Sequence, residues 1–197
     1  MRGSCAELAR TIHSTEVTEN DGFPPVAERV RPYISGGVAR EDMALGSKCM
    51  RLLETLPVSR TLIHGDFHTG NVFLQKGEAL LIDMDRLSVG HPIIEISDLY
   101  YFYVVLGEEE PAVVERFMGF SYETARQFFR SFLKHYLQTE DENRLREVTE
   151  KASLLCYTRM IHKIRKKGVL SKADQERIGV YVERLTELTG RLDSLAF

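Results

Sequence analysis

Two carboxylates and a carboxamide crowd into one short stretch of this chain. His64-Gly65-Asp66-Phe67-His68-Thr69-Gly70-Asn71 is followed by Leu80-Leu81-Ile82-Asp83-Met84-Asp85. A carboxylate at Asp66 can accept, or at least orient, the proton of an attacking hydroxyl. Asn71 offers a neutral carbonyl oxygen and Asp83 an anionic one. Mg²⁺ takes a few such hard ligands and leaves the rest of its shell to water and substrate phosphates. These are the parts that hold a hydroxyl, a divalent cation and a nucleotide phosphate in line. His64-x-Asp66-x-His68 is also a metal-ligand spacing, because alternate residues of a strand face one side. With Asp83, Asp85 and His91 it could serve a zinc or two-metal hydrolase. That alternative leaves Asn71 and the spacing from Asp83 to Gly90 and Pro92 without a role.

Short β elements must position these groups. Thr61-Leu62-Ile63 reads as a strand leading into Asp66, and Asn71–Leu74 and Ala79–Ile82 as two more. Gln75-Lys76-Gly77-Glu78 joins the latter pair as a hairpin turn. Centring the turn between Lys76 and Gly77 pairs Asn71 with Ile82, so register alone brings Asn71 and Asp83 together at the open end. Gly90-His91-Pro92 then opens a helix. Ile93, Ile94, Ile96, Leu99, Tyr100, Phe102, Tyr103, Val104, Val105 and Leu106 cover nearly its whole circumference, which predicts a buried central pillar over 92–106.

The flanks read as helical. Residues 5–14 carry Leu8, Ala9 and Ile12 on one side, and 15–25 form a polar loop ending in Phe-Pro-Pro. Val26–Ile34 and Arg40–Leu56 are expected as helices separated by Ser35-Gly36-Gly37. Beyond Gly107 apolar residues recur at helical spacing. Lys166-Lys167-Gly168 stops one helix, and Leu170-Ser171 caps the next. The expectation is one mainly α (α+β) unit over 1–197, with N-terminal helices over 5–57, a catalytic loop and metal-binding hairpin over 61–85, and a helical substrate-side region over 107–197.

Of the 197 residues, 43% are hydrophobic and 28% charged, with a net charge of −3. That composition suits a water-facing globular domain and argues against general nucleic-acid or anionic-membrane binding, which favours basic surfaces. Three widely spaced cysteines without a CxxC pair fit reduced thiols and a cytoplasmic setting. Glu7 and Arg10 interrupt any signal-peptide core, and no apolar run reaches membrane-spanning length.

The pattern His-Gly-Asp-x-x-x-x-Asn, then Ile-Asp-x-Asp, then Gly-x-Pro at a helix start resembles the catalytic segment of the aminoglycoside phosphotransferase and choline kinase-like superfamily, whose fold is related to protein kinases. Leu8-Ala9 with Ile12-His13 resembles the Leu-x-x-Leu-His helix that begins its C-terminal lobe. The resemblance implies the helical C-terminal lobe of a kinase-like phosphotransferase, acting with ATP or GTP and Mg²⁺ on a small-molecule hydroxyl. It implies Asp66 as catalytic base, Asn71 and Asp83 as metal ligands, and His64 as a brace of the loop. Asp85 takes the second acidic position, and His68 lies near the phosphate or substrate entrance. Glu95 stands where the family usually has an Asp that buttresses the loop, with Asp98 a turn later. The family's glycine-rich loop, phosphate-binding Lys and partner Glu belong to an upstream β-rich lobe, which the few residues before Cys5 cannot supply. The expectation is therefore a shortened enzyme, a lobe supplied in cis or trans, or a non-catalytic remnant or binding module of the same fold.

Other features invite functional readings. Glu108-Glu109-Glu110 could attract a cationic acceptor but reads more simply as a solvated run. Lys163, Arg165, Lys166 and Lys167 suit a helix C-terminus. Tyr100, Phe102 and Tyr103 could line an adenine or choline site but are expected in the core. His135 and His162 have no partner spacing.

Overall fold

A computed structural model describes residues 5–18 and 21–197. Met1–Ser4, and Glu19 and Asn20 of the expected loop, lie outside the described residues. No helix among the described residues is long and apolar enough to cross a membrane. Among the described residues the architecture is mainly helical, with two small two-stranded sheets.

Helix α1 (Cys5–His13) buries Ala6, Ala9 and Ile12. Helix α2 (Ala27–Tyr33) does not stop at the glycines, as the sequence suggested. It runs on through a π-helical stretch, Ile34–Val38, into α3 (Ala39–Glu41). The glycines serve close packing instead, since a Cβ on Gly37 would meet the His162 backbone at 3.0 Å. The break falls at Asp42, whose side chain accepts from Leu45 N and caps α4 (Met43–Glu54).

Strand β1 (Leu62–Ile63) pairs antiparallel with β4 (Ser88–Val89), a partner the sequence did not announce. Strands β2 (Val72–Gln75) and β3 (Glu78–Leu81) form the hairpin, with Val72 opposite Leu81 and Gln75 opposite Glu78. The strand bounds move by one residue because Thr69–Asn71 form a 3-10 turn. The turn itself is as read. Lys76 and Gly77 both have positive φ, 52° and 84°, as a two-residue primed turn requires.

The pillar is helix α5 (Ile93–Tyr100), a π-helical stretch Tyr101–Val105, and α6 (Leu106–Glu109). Ile93, Ile96, Leu99, Tyr103 and Val105 are almost fully buried, which matches the all-round apolar pattern. Around it stand α7 (Pro111–Met118), α8 (Tyr122–Leu137), α9 (Glu142–Arg165) and α10 (Lys172–Thr189). Helix α9 packs against the pillar, the π-stretch at 34–38 and α10. Ser171 and Asp174 close a capping box at the start of α10. Cys49 and Cys156 are buried and all three cysteines are free, with burial pushing the Cys49 thiol up to about 12.

The ring of His91 meets that of Phe197 edge-on at 5.1 Å. Burial, reinforced by His13 and Lys151, pushes the His91 imidazole down to about 4. The unfolded chain binds that proton near pH 6.5 and the folded one resists it. Stability present above about pH 6.5 is therefore expected to drain as pH falls toward 4. Urea midpoints at neutral and acid pH should differ less in His91→Gln than in the parent; equal differences would contradict the assignment.

Candidate active site

The loop after β1 is held from beneath by one carboxylate. Glu95, 1% exposed on α5, accepts from His64 N at 3.3 Å through Oε2 and from Gly65 N at 2.5 Å through Oε1. His13 Nε2 lies 2.7 Å from the same Oε2, and His13 Nδ1 lies 2.8 Å from the Tyr136 hydroxyl. The network is self-consistent if Nε2–H donates to Glu95 and the Tyr136 hydroxyl donates to Nδ1. Glu95 thus joins α1, α5 and α8 beneath the loop, and its extra methylene does not keep it from the two backbone donors. Asp98 points elsewhere, forming an ion pair with Arg159 of α9. Burial pushes its carboxyl up despite that cation.

His64 is fully buried with both ring nitrogens engaged. Asp66 N donates to Nδ1 at 3.3 Å, and Nε2 lies 3.0 Å from Ile82 O, the residue before Asp83. His64 therefore ties the Asp66 loop to the hairpin's end. Neither nitrogen is left over for a zinc ion. His68 accepts from Gly70 N at 3.0 Å through Nδ1, and its ring lies against Phe102 and Phe117. Among the described residues no group of three His, Cys, Asp or Glu side chains could hold a metal, so the cluster a hydrolase would need is not assembled.

Asp66, Asn71 and Asp83, the residues expected to serve phosphoryl transfer, are linked through the backbone. Asn71, 8% exposed, donates from Nδ2 to Asp66 O at 2.8 Å. That bond uses the amide nitrogen and leaves Oδ1 as the end able to ligate. Ile82 N donates to Asn71 O at 3.0 Å, so the ladder runs one residue past β2 and delivers Asp83 beside Asn71. Asp83 is exposed with φ of 61°, a left-handed conformation that Asp tolerates better than most residues. Asp66 is partly exposed, and Asp85 is exposed in the turn that follows. Asn71 Oδ1 and the Asp83 carboxylate are the hard oxygen donors that this end of the hairpin offers, of the kind Mg²⁺ takes.

Several groups at this site were not evident from sequence. Tyr103 OH accepts from Thr69 N at 2.8 Å and donates to Thr69 Oγ1 at 3.0 Å, fixing the loop between Asp66 and Asn71. Tyr103 is core, as expected, but Phe102 is only half-buried and faces His68. The Glu108–Glu110 run is not merely solvated: Glu108 pairs with Arg184, Glu109 with Arg177 and Tyr181, and Glu110 with Arg116. His13 was placed on its helix by sequence, yet its partner lies 82 residues away. Arg29 carried no signal, and its guanidinium sits beside Gly65 and donates to Ser88 at 3.2 Å.

Gly65 itself cannot carry a side chain. Its φ is +84°, and an added Cβ would fall 2.4 Å from Arg86 O and 2.9 Å from Arg29 Nη1. Gly65→Ala is expected to cost about 1–3 kcal/mol from backbone strain, with the overlap adding to it. A thermal melt of that variant should fall clearly below the parent; an unchanged melt would mean the loop is held differently.

The family model described as "Phosphotransferase enzyme family" (APH) matches residues 3–132, which include the loop, the hairpin and the pillar. No match is found among curated proteins. The solved structure of ADP-bound aminoglycoside phosphotransferase APH(2'')-Ib is similar at 14% identity with a TM-score of 0.49, covering 93% of this chain and 62% of that one. The chain thus spans less than two thirds of the length of that solved protein.

Proposed function

This chain belongs to the phosphotransferase enzyme family, and from that premise we propose that it carries the acceptor and metal side of a nucleotide-dependent transfer to a small-molecule hydroxyl. Asp66 orients the hydroxyl and takes its proton as the oxygen attacks. Asn71 and Asp83 would hold Mg²⁺, which when bound supplies charge neutralisation on the phosphoryl group in flight. His64 and Glu95 do no chemistry; they fix where Asp66 sits. The observation that supports this reading most is the Asn71–Asp66 hydrogen bond, since it spends the amide nitrogen on the base's own loop. Phe73, Leu80 and Ile82, all at least 41% exposed on one face of the hairpin, give a nucleoside base an apolar floor beside Asn71. Three reduced cysteines suit a cytoplasmic setting for such an enzyme.

Calorimetric titration of the purified chain with ATP, with and without Mg²⁺, tests the reading. Mg²⁺-dependent binding at millimolar nucleotide or below, weakened at least about tenfold in Asp83→Ala, is the expected result. No binding at millimolar nucleotide would favour a non-catalytic remnant that keeps the fold. Stoichiometric zinc or manganese without nucleotide would favour the hydrolase.

A further inference from the structure

The loop that carries Asp66 runs into an aromatic cluster at His68. His68 is two residues beyond Asp66, so their Cα atoms lie within about 7 Å of each other. Its ring is 5.2 Å from that of Phe102 and 6.4 Å from that of Phe117. Phe102 and Phe117 are parallel to within 2°, with centroids 6.4 Å apart. Phe117 is 62% exposed, whereas Phe102 and His68 are half-buried. The cluster is also held in place. The His68 ring is fixed by Gly70 N, and Thr69 Oγ1 meets Met118 Sδ at 4.0 Å, which seats the end of α7 on the loop. The π-helical stretch turns both Phe102 and Tyr103 toward the loop, one onto His68 and the next onto Thr69. π-bulges of this kind recur at functional sites. Glu108, Glu109 and Glu110, the acidic run that ends α6, each pair with an arginine.

We infer that the ligand placed before Asp66 is an alcohol with an aromatic ring or similarly flat apolar group close to its hydroxyl, seated on the His68–Phe102–Phe117 platform. The ligand's hydroxyl and its placement before Asp66 rest on the phosphotransfer reading; the aromatic platform binds whether or not transfer occurs. Offset stacking and edge contact on Phe117 supply the affinity, and His68 sets the distance to Asp66.

The test uses the full chain with ¹³C-methyl methionine and 2-phenylethanol as probe. The Met118 methyl signal, next to Phe117 in sequence and in contact with Thr69, is expected to shift on titration. Phe117→Ala and Phe117→Leu should each weaken that binding at least about threefold, because the ring and not bulk alone is used. 2-Deoxystreptamine, a dicationic aminocyclitol, should leave Met118 unshifted over the same range. A Met118 shift with 2-deoxystreptamine at similar concentration, or 2-phenylethanol binding indifferent to both substitutions, would overturn the inference. Asp83→Ala separates the two proposals, since it should weaken Mg²⁺–nucleotide binding at least about tenfold and leave 2-phenylethanol binding intact. If the parent chain binds 2-phenylethanol through Phe117 but no nucleotide, the platform stands and the phosphotransfer reading falls.

Discussion

Replacing Asp66 with Ala is expected to lower phosphoryl-transfer turnover by about 10²–10⁴, the usual worth of a positioned general base, while Mg²⁺–nucleotide affinity stays within about twofold. The split follows from what each group touches. Asn71 reaches the Asp66 backbone carbonyl, not its carboxylate, and Asp83 is delivered by the ladder bond at Ile82. Removing the Asp66 side chain therefore leaves the proposed metal ligands where they are. Single-turnover kinetics alongside calorimetry check this. Equal losses in turnover and nucleotide affinity would mean that Asp66 is a ligand and not the base.

The second large effect concerns the brace. Glu95→Ala removes the acceptor of two buried backbone N–H groups and the partner of His13. Leaving two buried backbone donors without an acceptor costs about 1–3 kcal/mol each, which in a chain of this size lowers the melting temperature by about 4–24 °C. His13→Ala should be destabilising on its own and less than additive with Glu95→Ala, because the two side chains share one contact. Additive losses would show that His13 and Glu95 act independently. Glu95→Asp should fall between parent and Glu95→Ala, since a shorter side chain cannot reach His64, Gly65 and His13 together.

How far the sequence carried differs by element. The hairpin was legible because Lys76-Gly77 admits one turn type, and a two-residue turn dictates every pair down to Asn71 and Ile82. The pillar was legible because no surface helix is apolar on all sides. Ser171 and Gly168 were legible as cap and stop because their chemistry is local. The pairing of β1 with β4 was not, since two-residue strands leave no alternation to read. Nor were the π-helical stretches: Ser35-Gly36-Gly37 looks like a break, and only its packing on His162 reveals a helix that continues. For the candidate site, residue types and spacing named Asp66, Asn71 and Asp83, and the family resemblance named Glu95, but the ties among them are tertiary. His13 meets Glu95, and Tyr103 meets Thr69, across separations that periodicity cannot span. The aromatic platform escaped notice for a related reason, because Phe102 looked like core until α7 was seen to set Phe117 beside it.

Mn²⁺ can replace Mg²⁺ at oxygen sites and broadens the magnetic resonance signals of nuclei around it. Added substoichiometrically with ATP to the ¹⁵N-labelled chain, it is expected to erase first the Asn71 side-chain amide and the Asp83 backbone amide, with Asp66 next and α10 untouched. Broadening centred elsewhere, or the same loss in Asp83→Ala, would contradict a divalent cation held between Asn71 and Asp83 beside the base.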